Sequence, residues 1–189
     1  ANNHSILGDW TKPQPKENVV TIFEGIKNIG SKKGFEVDFH DSNSDILKIS
    51  DEDISSTVEI AKDYDYVFVV VGDNSLRHLK NKKTAGENMA RANINLAGNQ
   101  LKLVKSLHKL SNKLIVVYVN GKPIAEPWIA ENVNSIIEAW EPGSFGGQAV
   151  GEIIFGVVNP SGKLPLTFPR SVGQLQMVYN HKPSQYFHK

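Results

Sequence analysis

A chain of 189 residues, 40% hydrophobic and 22% charged, has an ordinary globular composition and enough length to bury a core as one domain. Its formal net charge of +1 offers no electrostatic ground for capturing nucleic acid or an anionic membrane surface, and no apolar run approaches the roughly 18 residues of a membrane helix. Without cysteine there are no disulfides, thiolate nucleophiles or cysteine-ligated zinc, and the six histidines lack metal-ligand spacing, so neither a metal nor another cofactor is implied.

Residues 1–17 are polar, contain Pro13 and Pro15, and read as an extended connector. Val19, Ile22, Phe23, Ile26 and Ile29 recur at helical spacing, which predicts a helix over residues 18–29 closed by Gly30 and Gly34. Residues 35–39 alternate Phe, Val and Phe with acids, a short half-exposed strand. Asp51 and Asp53 place negative charge at the start of a second helix running to about Ala61. Residues 66–71 (YVFVVV) and 114–119 (LIVVYV) are continuous β-branched runs suited to strands buried on both faces, and residues 135–139 (SIIEA) make a third strand. Between the first two strands, Leu103, Val104, Leu107 and Leu110 line one face of a helix over residues 99–110. A last helix covers residues 147–155. Strands alternating with helices predict an α/β fold: a doubly wound, mostly parallel sheet sandwiched by helices.

In such sheets chemistry gathers beyond the carboxyl ends of the strands. Here those ends are Gly72-Asp73-Asn74, Asn120-Gly121-Lys122-Pro123 and Trp140-Glu141-Pro142-Gly143, and a long loop over residues 73–98 leaves from the first. Asp73 either contacts a substrate hydroxyl or orders that loop. Trp140 beside Glu141 suits a sugar face and its hydroxyls, but Trp140 equally suits a cap on the core. Arg77, His78, Lys80, Lys82 and Lys83 read as a solvated basic face of the loop rather than an anion site. Gly143, Gly146 and Gly147 match no phosphate-binding pattern and read as backbone geometry for a tight strand-to-helix turn. Taken alone, Glu87 is a loop glutamate of the kind usually solvated.

Residues 141–170, EPGSFGGQAVGEIIFGVVNPSGKLPLTFPR, place three Gly/Pro clusters around one short amphipathic helix. This run resembles the signature of the C-terminal α/β domain of glycoside hydrolase family 3, which contains β-glucosidases and β-xylosidases. The resemblance extends from Ile6-Leu7-Gly8-Asp9-Trp10 to Tyr186-Phe187-His188-Lys189 and is most specific over residues 120–170. It implies a flavodoxin-like (α/β)6 sandwich and makes the Lys82–Leu96 stretch the family's general-acid loop. Within that loop Glu87 matches the acid/base carboxylate and Arg91 its basic neighbour. Protonating a departing glycosidic oxygen requires a carboxylic acid that is later reused as a base. Asp73, Arg91, Trp140 and Glu141 become the candidate substrate-binding residues. The chain departs from the family pattern at Asn93, often Asp, at Ala97, a turn proline elsewhere, at Asp73, commonly Glu, and at Val157, often acidic.

The resemblance also implies a layout: residues 1–17 as connector from a preceding (β/α)8 barrel domain, 18–170 as the α/β sandwich, and 171–189, with His181, as an extension toward a β-sandwich domain. The family's nucleophile is an Asp on the barrel, so a retaining β-glycosidase would draw only its acid/base from this chain, with that barrel portion as partner and a β-linked glucoside or oligosaccharide as substrate. The domain's first strand is expected to lie outside the sequence. Similar enzymes are commonly periplasmic or secreted. A noncatalytic carbohydrate-binding or interaction module with the same fold stays open as the alternative. A flavodoxin-like nucleotide or signalling domain rests on fold analogy alone and lacks a phosphate loop.

Overall fold

The two β-branched runs pair with each other, and the shorter third run completes the sheet. In the computed structural model, which describes residues 5–78, 80–110, 113–175 and 177, β1 (Tyr66–Gly72), β2 (Lys113–Val119) and β3 (Ser135–Glu138) lie parallel in that order. Tyr66 pairs with Lys113 and Gly72 with Val119, while Ile115 pairs with Ser135 and Tyr118 with Glu138. This register brings all three carboxyl ends to one rim. Two further bonds prolong the alignment past the strands, from the Asp73 N–H to the Val119 carbonyl at 2.9 Å and from the Asn120 N–H to the Trp140 carbonyl at 3.1 Å.

Helices cover both faces of the sheet. On one face α2 (Asp51–Ala61), α3 (Gln100–His108) and α4 (Pro127–Asn132) pack Ile54, Leu103, Val104, Leu107 and Ile129 against Val69, Val71, Leu114 and Val116. On the other, α1 (Ile22–Lys32) and α5 (Gly146–Ile154) pack Ile22, Ile26 and Val150 against Val117 and Val119. Capping boxes start α1, through Thr21 and Glu24, and α2, through Ser50 and Asp53. The α/β sandwich predicted from the sequence is therefore present, with three strands among the described residues.

Four local readings differ. The first helix begins at Ile22 because Thr21 caps it, and Gly30 lies inside it against Phe155 rather than closing it. Residues 35–39 form no strand. Their rings lean on other phenylalanines instead, Phe39 on Phe23 of α1 at 5.2 Å and Phe35 on Phe155, just past α5, at 5.5 Å. The short α4 opens on Pro127, a residue suited to the first helical position, and was not anticipated. Finally, the opening segment is not simply extended. Ser5–Leu7 forms a 3-10 turn, Ile6 is buried, and its carbonyl accepts the Gly143 N–H at 2.8 Å.

Backbone-to-backbone contact sets how closely α1 and α5 approach. A Cβ on Gly25 would stand 1.8 Å from the Gly147 carbonyl oxygen, and one on Gly147 would stand 2.0 Å from that of Thr21. Neither contact can relax by turning a side chain. Gly25→Ala is accordingly expected to cost about 3 kcal/mol or more, measured by urea unfolding, whereas Ile22→Val in the same helix should cost about 1 kcal/mol.

Candidate functional site

The rim at the carboxyl ends of the strands is built around buried and half-buried charges. Asp73 follows β1 directly, and its side chain is 1% exposed. One oxygen accepts Arg91 Nη1 and Thr84 Oγ1, both at 2.9 Å, and the other is paired with Lys122 Nζ. One carboxylate thus ties the start of the 73–98 loop to two later points of that loop and to the end of β2. Arg91 continues the bracing by donating to Asn93 Oδ1 at 3.1 Å and to the Asn95 carbonyl at 2.7 Å. Thr84 and Asn74 clip the loop's base, with the Thr84 N–H bonding the Asn74 carbonyl at 2.7 Å and Thr84 Oγ1 accepting the Asn74 N–H at 2.9 Å. Gln100 closes it, its side chain bonding both the N–H and the carbonyl of Gly72 at 2.9 Å. Of the two readings open for Asp73, ordering the loop is the one its partners match.

Glu87 stands on this braced loop, its side chain 45% exposed and ion-paired with Arg77. Its backbone is held at both ends. The N–H donates to Asp9 Oδ2 at 2.7 Å, and the carbonyl accepts Lys83 Nζ at 2.7 Å. Lys83 also reaches Asp9 Oδ1 at 2.8 Å, and Arg77 Nε lies 3.6 Å from the same oxygen. Arg77 stacks over the Trp10 ring at 3.8 Å. The Lys83 hydrogen bond, then the Glu87 N–H and the charges of Lys83 and Arg77, hold the Asp9 carboxyl below its ordinary value of 3.8, against burial, which pulls the other way. Arg77 and Lys83 are therefore turned toward acidic partners within the site, in place of the solvated face expected of them.

Glu141 and Trp140 leave the end of β3 together. Glu141 Oε1 accepts a hydrogen bond from Ser75 Oγ, which joins the β3 end to the β1 loop. Trp140 adopts a left-handed backbone, with φ of 52°, and its half-buried ring lies 5.7 Å from that of Phe168. Its N–H donates to Glu138 Oε1 at 2.9 Å. Burial pushes the Glu138 carboxyl from 4.5 up to about 7, against Trp140 N–H and Asn120, which favour its charged form. Glu87, Asp73, Arg91 and Glu141 thus share one rim, with Trp140 next to Glu141. His181 lies outside the described residues. Asp9, Ser75 and Glu138 carried no local signal in the sequence, since their partners are distant or become partners only through the sheet register. Among the described residues, no group of three or more His, Asp or Glu side chains could hold a metal, and no helix is long and apolar enough to cross a membrane.

Three parallel strands with helices on both faces make this an α/β domain. The whole chain, residues 1–189, matches the glycosyl hydrolase family 3 C-terminal domain, and the protein belongs to that family. It is 38% identical over 181 residues to a β-xylosidase of Formosa agariphila, covering 95% of this chain and 23% of that protein. It is 32% identical over 199 residues to a periplasmic β-glucosidase of Salmonella typhimurium, covering 95% of this chain and 25% of that one. Among solved structures, a β-glucosidase from Listeria innocua in complex with gluconolactone superposes with a TM-score of 0.80 at 25% identity, over 94% of this chain and 23% of that one. A β-glucosidase from Erythrobacter marinus gives 0.79 at 28% identity, over 96% and 27%. The chain therefore spans about a quarter of the length of these relatives.

Two outcomes follow from the charges of the rim. Asp73→Ala leaves Arg91 and Lys122 without their counter-charge. Because both cations keep some water, the loss in chemical unfolding should be about 3 kcal/mol, the low end for a broken buried pair. Glu138 carries a pH effect of opposite sign to Asp9. Its native proton is held to a higher pH than in the unfolded chain, so its contribution is full below about pH 4.5 and is lost as pH rises to about 7. Unfolding free energies of the native chain and Glu138→Gln, compared across that window, should diverge by on the order of 2 kcal/mol in the variant's favour as pH rises.

Proposed function

We propose that this chain is the acid/base-bearing domain of a retaining β-glycosidase, with Glu87 as the general acid and base. The observation that carries this reading is the division within Glu87: its peptide is held at both N–H and carbonyl while its carboxyl group stays 45% exposed at the rim. A proton donor to a glycosidic oxygen needs that combination of a fixed origin and an accessible head. On leaving Arg77 and taking a proton from solvent, the Glu87 carboxyl would protonate the departing oxygen and then, as the carboxylate, take a proton from the incoming water. Retaining hydrolysis also needs a nucleophilic carboxylate about 5 to 5.5 Å away. Here that group is assigned to a (β/α)8 barrel portion of a longer polypeptide.

In this reading Asp73 and Arg91 serve the substrate indirectly by holding the loop, while Glu141 and Trp140 line the adjoining rim where a sugar would lie. The substrate class is a β-linked glucoside or xyloside, from the names of the similar proteins, and the Salmonella relative's name favours a periplasmic or secreted setting. The test uses the longer polypeptide with the barrel portion. Glu87→Gln should lower hydrolysis of an alkyl β-glycoside about 10²- to 10⁴-fold, and should slow release of an acidic phenol far less, because that leaving group needs no proton. Equal losses on both substrates, or none, would remove Glu87 from this role. Turnover of an aryl β-glucoside by the 189-residue chain alone would sink the assignment of the nucleophile to another portion.

A further inference from the structure

The loop of Glu87 is sharply bent around that residue. Gly86 and Asn88, on either side, both have left-handed backbones, with φ of 89° and 63°. Gly and Asn both tolerate that region, so the turn suits the local sequence, and where it stands in the rim is set by the surroundings. The surroundings here come largely from one distant carboxylate. Asp9 Oδ2 receives the Glu87 N–H at 2.7 Å, and Asp9 Oδ1 receives Lys83 Nζ at 2.8 Å while Lys83 itself holds the Glu87 carbonyl. A Cβ on Gly86 would stand 2.9 Å from Asp9 Oδ2, so the residue before Glu87 is small where that carboxylate must come close.

We propose that Asp9 is a positioning residue for Glu87: it clamps the Glu87 peptide to the segment before α1, with Lys83 as a second arm, and so sets where the acid/base carboxyl stands. This rests on the role given to Glu87 above. Charge adds to the clamp's selectivity. The Asp9 carboxylate occupies Lys83 and faces Arg77 Nε at 3.6 Å, leaving the Arg77 Nη2 group to meet the Glu87 carboxylate. Without that negative charge, two cations would compete for Glu87. The alternative is that Asp9 merely adds to global stability, and the two roles separate at one amide.

The experiment is amide hydrogen exchange and NMR of the 189-residue chain. In Asp9→Ala, the Glu87 amide should lose about tenfold to hundredfold of its protection, while the amides of Thr84 and Leu96, bonded to Asn74 and Glu126, change less than about twofold. Asp9→Asn, which keeps an acceptor oxygen, should recover part of that protection. If Asp9→Ala does not fold, an acid titration of the native chain replaces it. The Glu87 amide proton, downfield through its carboxylate bond, should shift in step with protonation of Asp9 below its ordinary value of 3.8. An unchanged Glu87 amide, or an equal loss at Thr84 and Leu96, overturns the proposal. The clamp grips backbone, so the Glu87→Gln chain should retain the amide signature. A silent Glu87→Gln in the hydrolysis test therefore rejects the acid/base reading without touching the clamp, and a lost signature rejects the clamp without touching the acid/base reading.

Discussion

The parallel register between β1, β2 and β3 is the constraint from which the rest follows. Pairing Gly72 with Val119 and Tyr118 with Glu138 ends the strands level with one another. Three polar segments from distant parts of the chain then emerge side by side. A slip of one residue in β1 would carry Val69 and Val71 to the opposite face and turn the half-exposed Val70 inward, which the packing of Val69 and Val71 under the helices opposes, whereas β2 is buried on both faces at Val116 and Val117. The hydrophobic contacts that hold the register thus also bring Asp73, Lys122 and Glu141 to one rim.

Charge then organises what the sheet has gathered. Asp73 is almost fully buried and meets two cations and a hydroxyl, an arrangement that repays its desolvation because its acceptor oxygens are occupied. Asp9 does the same one layer outward, with Lys83 and the Glu87 N–H. These two carboxylates convert a long loop, which composition alone would leave mobile, into a surface of defined shape. The exposed Lys62–Glu59 pair at the end of α2 has no comparable consequence, since both partners remain in water.

The loop's backbone is held by hydrogen bonds at Glu87, while the Glu87 carboxyl is 45% exposed and paired with Arg77. That arrangement suits a domain of about a quarter of its relatives' length, whose catalytic contribution would be one proton-transferring side chain presented to a site completed elsewhere. Arg77 has two roles in this arrangement. It stacks on the 76% exposed Trp10 and pairs with Glu87, both side chains of that pair staying nearly half exposed.

Most of the scaffold was legible in the sequence. The β-branched runs, the spacing of Leu103, Val104 and Leu107, and the acids before Ile54 each encode an element through short-range periodicity, and the Gly/Pro pattern over residues 141–170 carries the family. Residues 35–39 show where such reading stops, because alternation makes a strand possible and only a neighbouring strand makes one. The candidate acid Glu87 and its neighbour Arg91 were reached through resemblance to a motif, and Asp73 from its place at the end of a strand. What holds Glu87 was not reached. Asp9 lies 78 positions from it, an interval with no periodicity to mark it, and Arg77 and Lys83 look like solvated bases until a buried carboxylate faces them. Local sequence determined the strands, the helices and the family, because those depend on residues a few positions apart. Tertiary structure alone decided the partners of each charge, because a buried ion pair depends on which distant segments the sheet brings within about 3 Å.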